Sequence, residues 1–257
     1  CILTVANFLY LYQKEKISSR DIVITMTLFF VLAIVKYVYL PIFGIYFAVF
    51  PKLFRISRKG VFALLGSIAA GLLCLFVAMK LGACAETSAV QLEYLKARSV
   101  DSAGQIQYLL EDGSRLPVMI QNTLKEYGQF YFESMIGTLG WLDIVTGPVV
   151  LYGFIGLLAV SACMESAKIK WINRIWMICL ALVIGVLVIL GLYLMWSPVG
   201  WGTSEGVQGR YFIPALLLLP IACSNGLLKK ISYQQILMIG VIAVNAVAMN
   251  GILEYFI

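Results

Sequence analysis

The chain has 257 residues, of which 61% are hydrophobic and only 12% charged, with a mean hydropathy of +0.93. A water-soluble domain carries about 25% charged residues, so there is too little polar surface here to face water on all sides, and a soluble globular protein is excluded. The net charge of +6 comes without any basic stripe interleaved with aromatics, so it gives no support to nucleic-acid binding.

The composition points to an all-α, polytopic transmembrane helix bundle forming one membrane domain over residues 1–257. Spanning helices need about 20 apolar residues. In chain order the expected spans are about 1–12 (partial), 22–36, 38–50, 61–79, 144–164, 175–196, 211–228 and 233–253. The chain opens on Cys1 midway through an apolar segment, without a basic leader or a small-residue cleavage site. It therefore reads as the C-terminal part of a longer chain, with a lipid-modified Cys1 as the alternative.

Lys and Arg of short loops stay on the cytoplasmic side. Four such segments carry them: Lys14, Lys16 and Arg20; Lys52, Arg55, Arg58 and Lys59; Lys168, Lys170 and Arg174; Lys229 and Lys230. The stretch 80–143 holds five cations and eight acids and is expected as an outer loop. The pI near 9.0 is thus a signal of orientation.

Residues 22–50 are apolar apart from Lys36, and both flanks are basic. A single helix of that length would run roughly 44 Å at 1.5 Å per residue and would put the two basic flanks on opposite faces. A hairpin of two short helices answers both points, with its turn at Lys36-Tyr37-Val38-Tyr39, just before Pro41. Lys36 then lies at the outer surface, where snorkelling alone is its plain alternative role.

Within the outer loop, Val118, Met119, Ile120, Leu124, Tyr127, Phe130, Tyr131, Met135 and Ile136 fall mostly on one helical face, with Lys125, Gln129 and Glu133 on the polar side. An amphipathic helix is expected over Leu116–Ile136, lying on the membrane surface or packed on the bundle. A shorter helix is expected over Asp101–Leu110, capped by Asp101 or Ser102.

The six cysteines (1, 74, 84, 163, 179 and 223) form no CxxC pair, and there is no histidine. Neither a disulfide framework, a zinc site nor His-based acid–base catalysis is indicated. No P-loop, GxGxxG or Asp-x-Asp motif points to a soluble nucleotide. No metal or cofactor is expected.

Three short polar clusters remain, all on the outer face by the charge topology: Lys36-Tyr-Val-Tyr-Leu-Pro41, Gly137-Thr-Leu-Gly-Trp-Leu-Asp143 and Gly206-Val-Gln-Gly-Arg-Tyr-Phe-Ile-Pro214. In the third, a Gly-rich loop leads into a helix and places Arg210 where phosphate is favoured but a cation is not. The plain alternative is that Arg210 pairs with Glu205 or with lipid headgroups; for Asp143 it is a Trp anchor followed by a cap.

In this order the three clusters resemble the bacterial membrane-protein family called domain of unknown function 2142, across nearly the whole chain. The resemblance implies a branch of the C-type glycosyltransferases, polytopic enzymes that take sugars from polyprenyl-phosphate carriers outside the cytoplasm. It implies a bacterial plasma membrane location, a polyprenyl-phosphate sugar donor and a cell-surface glycan acceptor. It also implies phosphate contact for Arg210; Lys36 is the second outward-facing cation for that phosphate, and Tyr211 and Gln208 are the other expected phosphate-binding residues. The superfamily's usual catalytic acid belongs to a first outer loop that this chain does not contain. The visible carboxylates are Asp143 and Asp101. A transporter or flippase of lipid-linked glycans is the alternative, although no inverted repeat or mid-span charge is evident.

Overall fold

The computed structural model describes residues 1–49, 93, 95, 97–140, 142–164, 169–228 and 234–256. The expected span 61–79, the basic segments 52–59 and 229–230, and Cys84 lie outside the described residues. The regular secondary structure of the described residues is helical except for one pair of two-residue strands, in keeping with the composition.

Helix α1 (Ile2–Gln13) leads into α2 (Ser19–Lys36). The start of α2 is set by a capping box. Ser18 Oγ accepts the Asp21 amide, and Asp21 Oδ2 accepts the Ser18 amide at 2.7 Å. Asp21 is buried, and Lys14 Nζ, 2.6 Å from its Oδ2, neutralises it. At Lys36 the backbone leaves the helical region (φ −156, ψ 74), and the chain continues as a 3₁₀ segment, Tyr37–Ala48. Pro41 lies inside that segment and brings no amide to an α-helical ladder.

Among the described residues three helical stretches are long and apolar enough to cross a membrane: Ser19–Ala48, Trp171–Trp196 and Leu237–Phe256. The first is folded back on itself. The rings of Phe29 and Phe43 lie 5.0 Å apart, whereas fourteen residues of straight helix would separate them by about 21 Å. Asn7 Nδ2 donates both to Thr25 Oγ1 (2.9 Å) and to Tyr46 Oη (3.0 Å), clamping the two arms. The hairpin expected from Lys36 and the basic flanks is present, with its second arm 3₁₀ rather than α.

The segment before the strands contributes α3 (Ser102–Glu111) and α4 (Arg115–Ile136). Asp101 caps α3 through the Ala103 amide at 3.0 Å. Strands β1 (Thr138–Leu139) and β2 (Ile144–Val145) pair antiparallel, Thr138 opposite Val145. They were invisible to periodicity because each is too short to show any. Helices α5 (Pro148–Met164) and α6 (Trp171–Trp196) follow. The expected span 211–228 is instead a chain of short pieces: a 3₁₀ turn (Gly209–Phe212), α7 (Ile213–Leu216) and α8 (Leu218–Ala222). Pro214 and Pro220 account for the breaks, since each lacks the amide that a continuous helix needs. Helix α9 (Gln234–Phe256) packs beside α5.

The core gathers where the hairpin, α1, α6 and the α7–α8 pieces meet, around Phe8, Ile42, Ile45, Ile184 and Leu218. A second cluster, Met119, Ile189 and Tyr193, seats α4 on the bundle. Of the two placements open for the amphipathic helix, the structure has the one packed on the bundle. The close of α1, the start of α6 and the end of α8 meet at one end of the bundle. Tyr12 Oη accepts the Lys170 amide and the Asn173 side chain, and Arg174 Nη1 donates to the Ala222 and Ser224 carbonyls. Lys170 and Arg174 thus share one end with the close of α1, while Lys36, Arg98 and Arg210 belong to the other.

Candidate functional site

The three polar clusters, far apart in sequence, meet at that second end. Tyr211 is the hub of two of them. Lys36 Nζ lies 5.4 Å from the centroid of the Tyr211 ring, within cation–π range. Tyr39 Oη donates to the Tyr211 carbonyl at 3.0 Å. The hairpin tip is therefore docked on the Gly206–Pro214 loop by both a side chain and a backbone contact.

The same loop reaches the third cluster through Arg210, whose Nη1 donates to the Gly140 carbonyl at 2.7 Å. Gly140 has φ +65, and an added Cβ would fall 2.3 Å from Asp143 Oδ1. Glycine is required there by both conformation and space. The β1–β2 turn thus presents a carbonyl to Arg210 while holding Asp143 close beside that glycine. Asp143 is exposed and accepts from Tyr255 Oη at 3.2 Å.

Gly209 fixes where Arg210 sits. A Cβ on Gly209 would stand 1.9 Å from the Tyr131 carbonyl oxygen and 2.4 Å from the Met135 nitrogen, so the turn lies flat on the α4 backbone. Ser134 Oγ accepts the Gly209 amide at 3.0 Å. Tyr131, 5.5 Å from the Phe212 ring, packs against the turn, and burial pushes its phenol well above its ordinary range.

This geometry corrects the helix-terminus argument for phosphate. The Gly209 amide is taken by Ser134 and the Tyr211 amide by the Gln208 carbonyl, and the helix that follows is only four residues long. Any anion held here would be held by side chains. It also removes Glu205 as the partner of Arg210. Glu205 is gripped by Arg98, with Nη1 2.5 Å from Oε2 and Nη2 2.9 Å from Oε1. Among the described residues neither Arg210 nor Lys36 has a carboxylate partner.

Of the other expected site residues, Gln208 has a buried Oε1 with no hydrogen-bond partner among the described residues. Asp101 is occupied as a helix cap near Gly104, so its carboxylate has a sufficient structural role. The sequence reading did not single out Gly140 or Ser134, and gave Tyr39 no role beyond its place in the hairpin tip. Gly140 and Ser134 act through long-range contacts to backbone that no local pattern reports.

No curated protein and no solved structure matches the chain. The family model described as a predicted membrane protein, DUF2142, matches residues 1–219. The chain, whose three polar clusters converge at one end of an apolar helix bundle, belongs to this family of membrane proteins.

Proposed function

We propose that this membrane protein is a glycosyltransferase of the bacterial plasma membrane. It would take a sugar from a polyprenyl-phosphate carrier in the outer leaflet and attach it to a cell-surface glycan. The observation that carries the reading is the meeting of Lys36, Tyr211 and Arg210, with two cations that lack a carboxylate partner among the described residues. A cation facing lipid calls for an anionic partner, and one carbonyl does not neutralise a guanidinium. A lipid phosphate arriving sideways supplies the missing charge.

In the reaction, an acceptor hydroxyl attacks the anomeric carbon of the donor sugar. The bond from that carbon to the phosphate oxygen breaks, its electron pair stays on the leaving phosphate, and the hydroxyl proton passes to a carboxylate. Arg210 and Lys36 face the charge that develops on the leaving oxygen, where preorganised donors act most strongly. Tyr211 holds Lys36 in place, and Gln208 offers an acceptor for a sugar hydroxyl. Asp143, held beside the glycine whose carbonyl binds Arg210, is the carboxylate of choice; Asp101 is the lesser candidate because it is spent on a cap.

The decisive test reconstitutes the full-length protein in vesicles with a labelled polyprenyl-phosphate sugar. Transfer of label to a glycan acceptor supports the reading. Exchange of the donor between leaflets without transfer replaces it with a transporter of lipid-linked glycans.

A further inference from the structure

The loop from Ser197 to Gly206 is pinned along its length, yet it leaves an indole exposed. Tyr193 Oη donates to the Trp201 carbonyl at 2.7 Å, and the Gly200 amide donates to the buried Gln105 Oε1 at 2.9 Å. The Ser204 amide donates to Thr123 Oγ1 at 2.8 Å and its hydroxyl to the Ile189 carbonyl at 2.9 Å. The Glu205 amide donates to Ser197 Oγ at 3.0 Å. Gly200 (φ +75) and Gly206 (φ +73) turn the chain on either side of Trp201–Glu205. On this fixed support Trp201 is 50% exposed.

Between this loop and α4 lies an open cleft of about 680 Å³. Trp201 and Glu205 stand on one wall, and Asn122, Lys125, Glu126 and Tyr127 on the other. One of the carboxylates is held in place, Glu205 by Arg98, and Glu126 lies close enough to Tyr127 to raise that phenol above its ordinary value. The cleft thus combines an aromatic side chain on a pinned backbone with charged acceptors and an amide.

We infer that this cleft binds an uncharged glycan, with one pyranose ring stacked on Trp201 and its hydroxyls bonded to Glu126, Glu205 and Asn122. A pyranose has a face of polarised C–H bonds that suits the negative face of an indole. Its rim of hydroxyls suits ionised carboxylates, whose hydrogen bonds are about twice as strong as neutral ones. Among the described residues Glu126 and Glu205 stand against Lys125 and the Arg98 that pairs with Glu205, so the cleft offers no net positive charge to a phosphorylated or acidic ligand. The cleft lies at the same end of the bundle as Arg210, since Glu205 and Arg210 belong to one loop. Naming the occupant as the acceptor rests on the transferase reading; the binding of a glycan does not.

The test titrates the full-length protein in nanodiscs, with no lipid-linked donor present, with maltotriose, cellotriose and chitotriose in turn. Tryptophan fluorescence and saturation-transfer NMR report binding. Expected is a saturable response to at least one trisaccharide that Trp201→Ala weakens about tenfold or more. Glu126→Gln, an isosteric change on the exposed face of α4, should weaken it in the same way and keeps the test intact if Trp201→Ala fails to fold. No saturable response to any of the three overturns the inference. So does a response that both variants leave unchanged, which would make Trp201 an interfacial anchor. Sugar transfer without trisaccharide binding would overturn the cleft and leave the transferase standing; Trp201-dependent binding in a protein that transfers no sugar would do the reverse.

Discussion

Arg98 closes on Glu205 with both of its terminal nitrogens, Nη1 at 2.5 Å from Oε2 and Nη2 at 2.9 Å from Oε1. This pair joins the segment before α3 to the loop before Arg210, across 107 residues of sequence. It also decides the local electrostatics. The acid nearest to Arg210 in the chain is consumed elsewhere, and Arg210 is left to a backbone carbonyl. The neighbour that sequence proximity offers Arg210 is therefore not the one it has.

The Gly209 turn gives the sharpest packing prediction. A methyl group there would overlap the Tyr131 carbonyl and the Met135 amide, and backbone cannot give way as a flexible side chain does. Gly209→Ala should cost about 1–3 kcal/mol, the range for overpacking a tight contact, and should lower the thermal midpoint in detergent. Unchanged stability would contradict the seating of this turn on α4.

The hairpin clamp can be tested at Asn7. Asn7→Leu removes the donors to Thr25 and Tyr46. Hydrogen bonds between membrane helices are worth about 0.6 kcal/mol each and at most about 1.7, so a loss of about 1–2 kcal/mol is expected. Combining it with Thr25→Val should cost less than the sum of the two single changes, because they share one bond. Strict additivity would mean that the clamp does not hold the arms together.

These elements differ in how far the sequence disclosed them. The hairpin was legible because Lys36 interrupts an apolar run with basic flanks, a conflict that only a reversal resolves. Helix α3 was legible from Asp101 as its cap, and α4 from its periodicity. The pieces around Pro214 and Pro220 were read as one span because hydropathy averages over breaks that the prolines impose. At the site, the residue types of the three clusters were visible, but their meeting was not. Contacts such as Tyr39 to the Tyr211 carbonyl and Arg210 to the Gly140 carbonyl end on backbone atoms, and every residue has those.

Orientation is open to a direct check. The charge pattern puts Lys125 outside and Cys163 inside, and Cys163 lies at the end of the bundle that carries Arg174. With Lys125→Cys and Cys163 as the only cysteines retained, a membrane-impermeant maleimide applied to intact cells should label position 125. Cys163 should react only after permeabilisation. The reverse pattern would overturn the outward placement of Arg210 and Lys36.

The most direct measurement of the central claim is the rate of sugar transfer from a polyprenyl-phosphate donor by the full-length protein carrying Arg210→Lys. The change keeps a positive charge and removes the planar fork that can grip two phosphate oxygens while bonded to the Gly140 carbonyl. If Arg210 stabilises the leaving phosphate, transfer should fall on the order of 10²–10³-fold, as when a positioned donor is lost, while thermal stability stays near that of the parent. Transfer at close to the parent rate would contradict the account and leave Arg210 as a brace between the Gly209 turn and the β1–β2 turn.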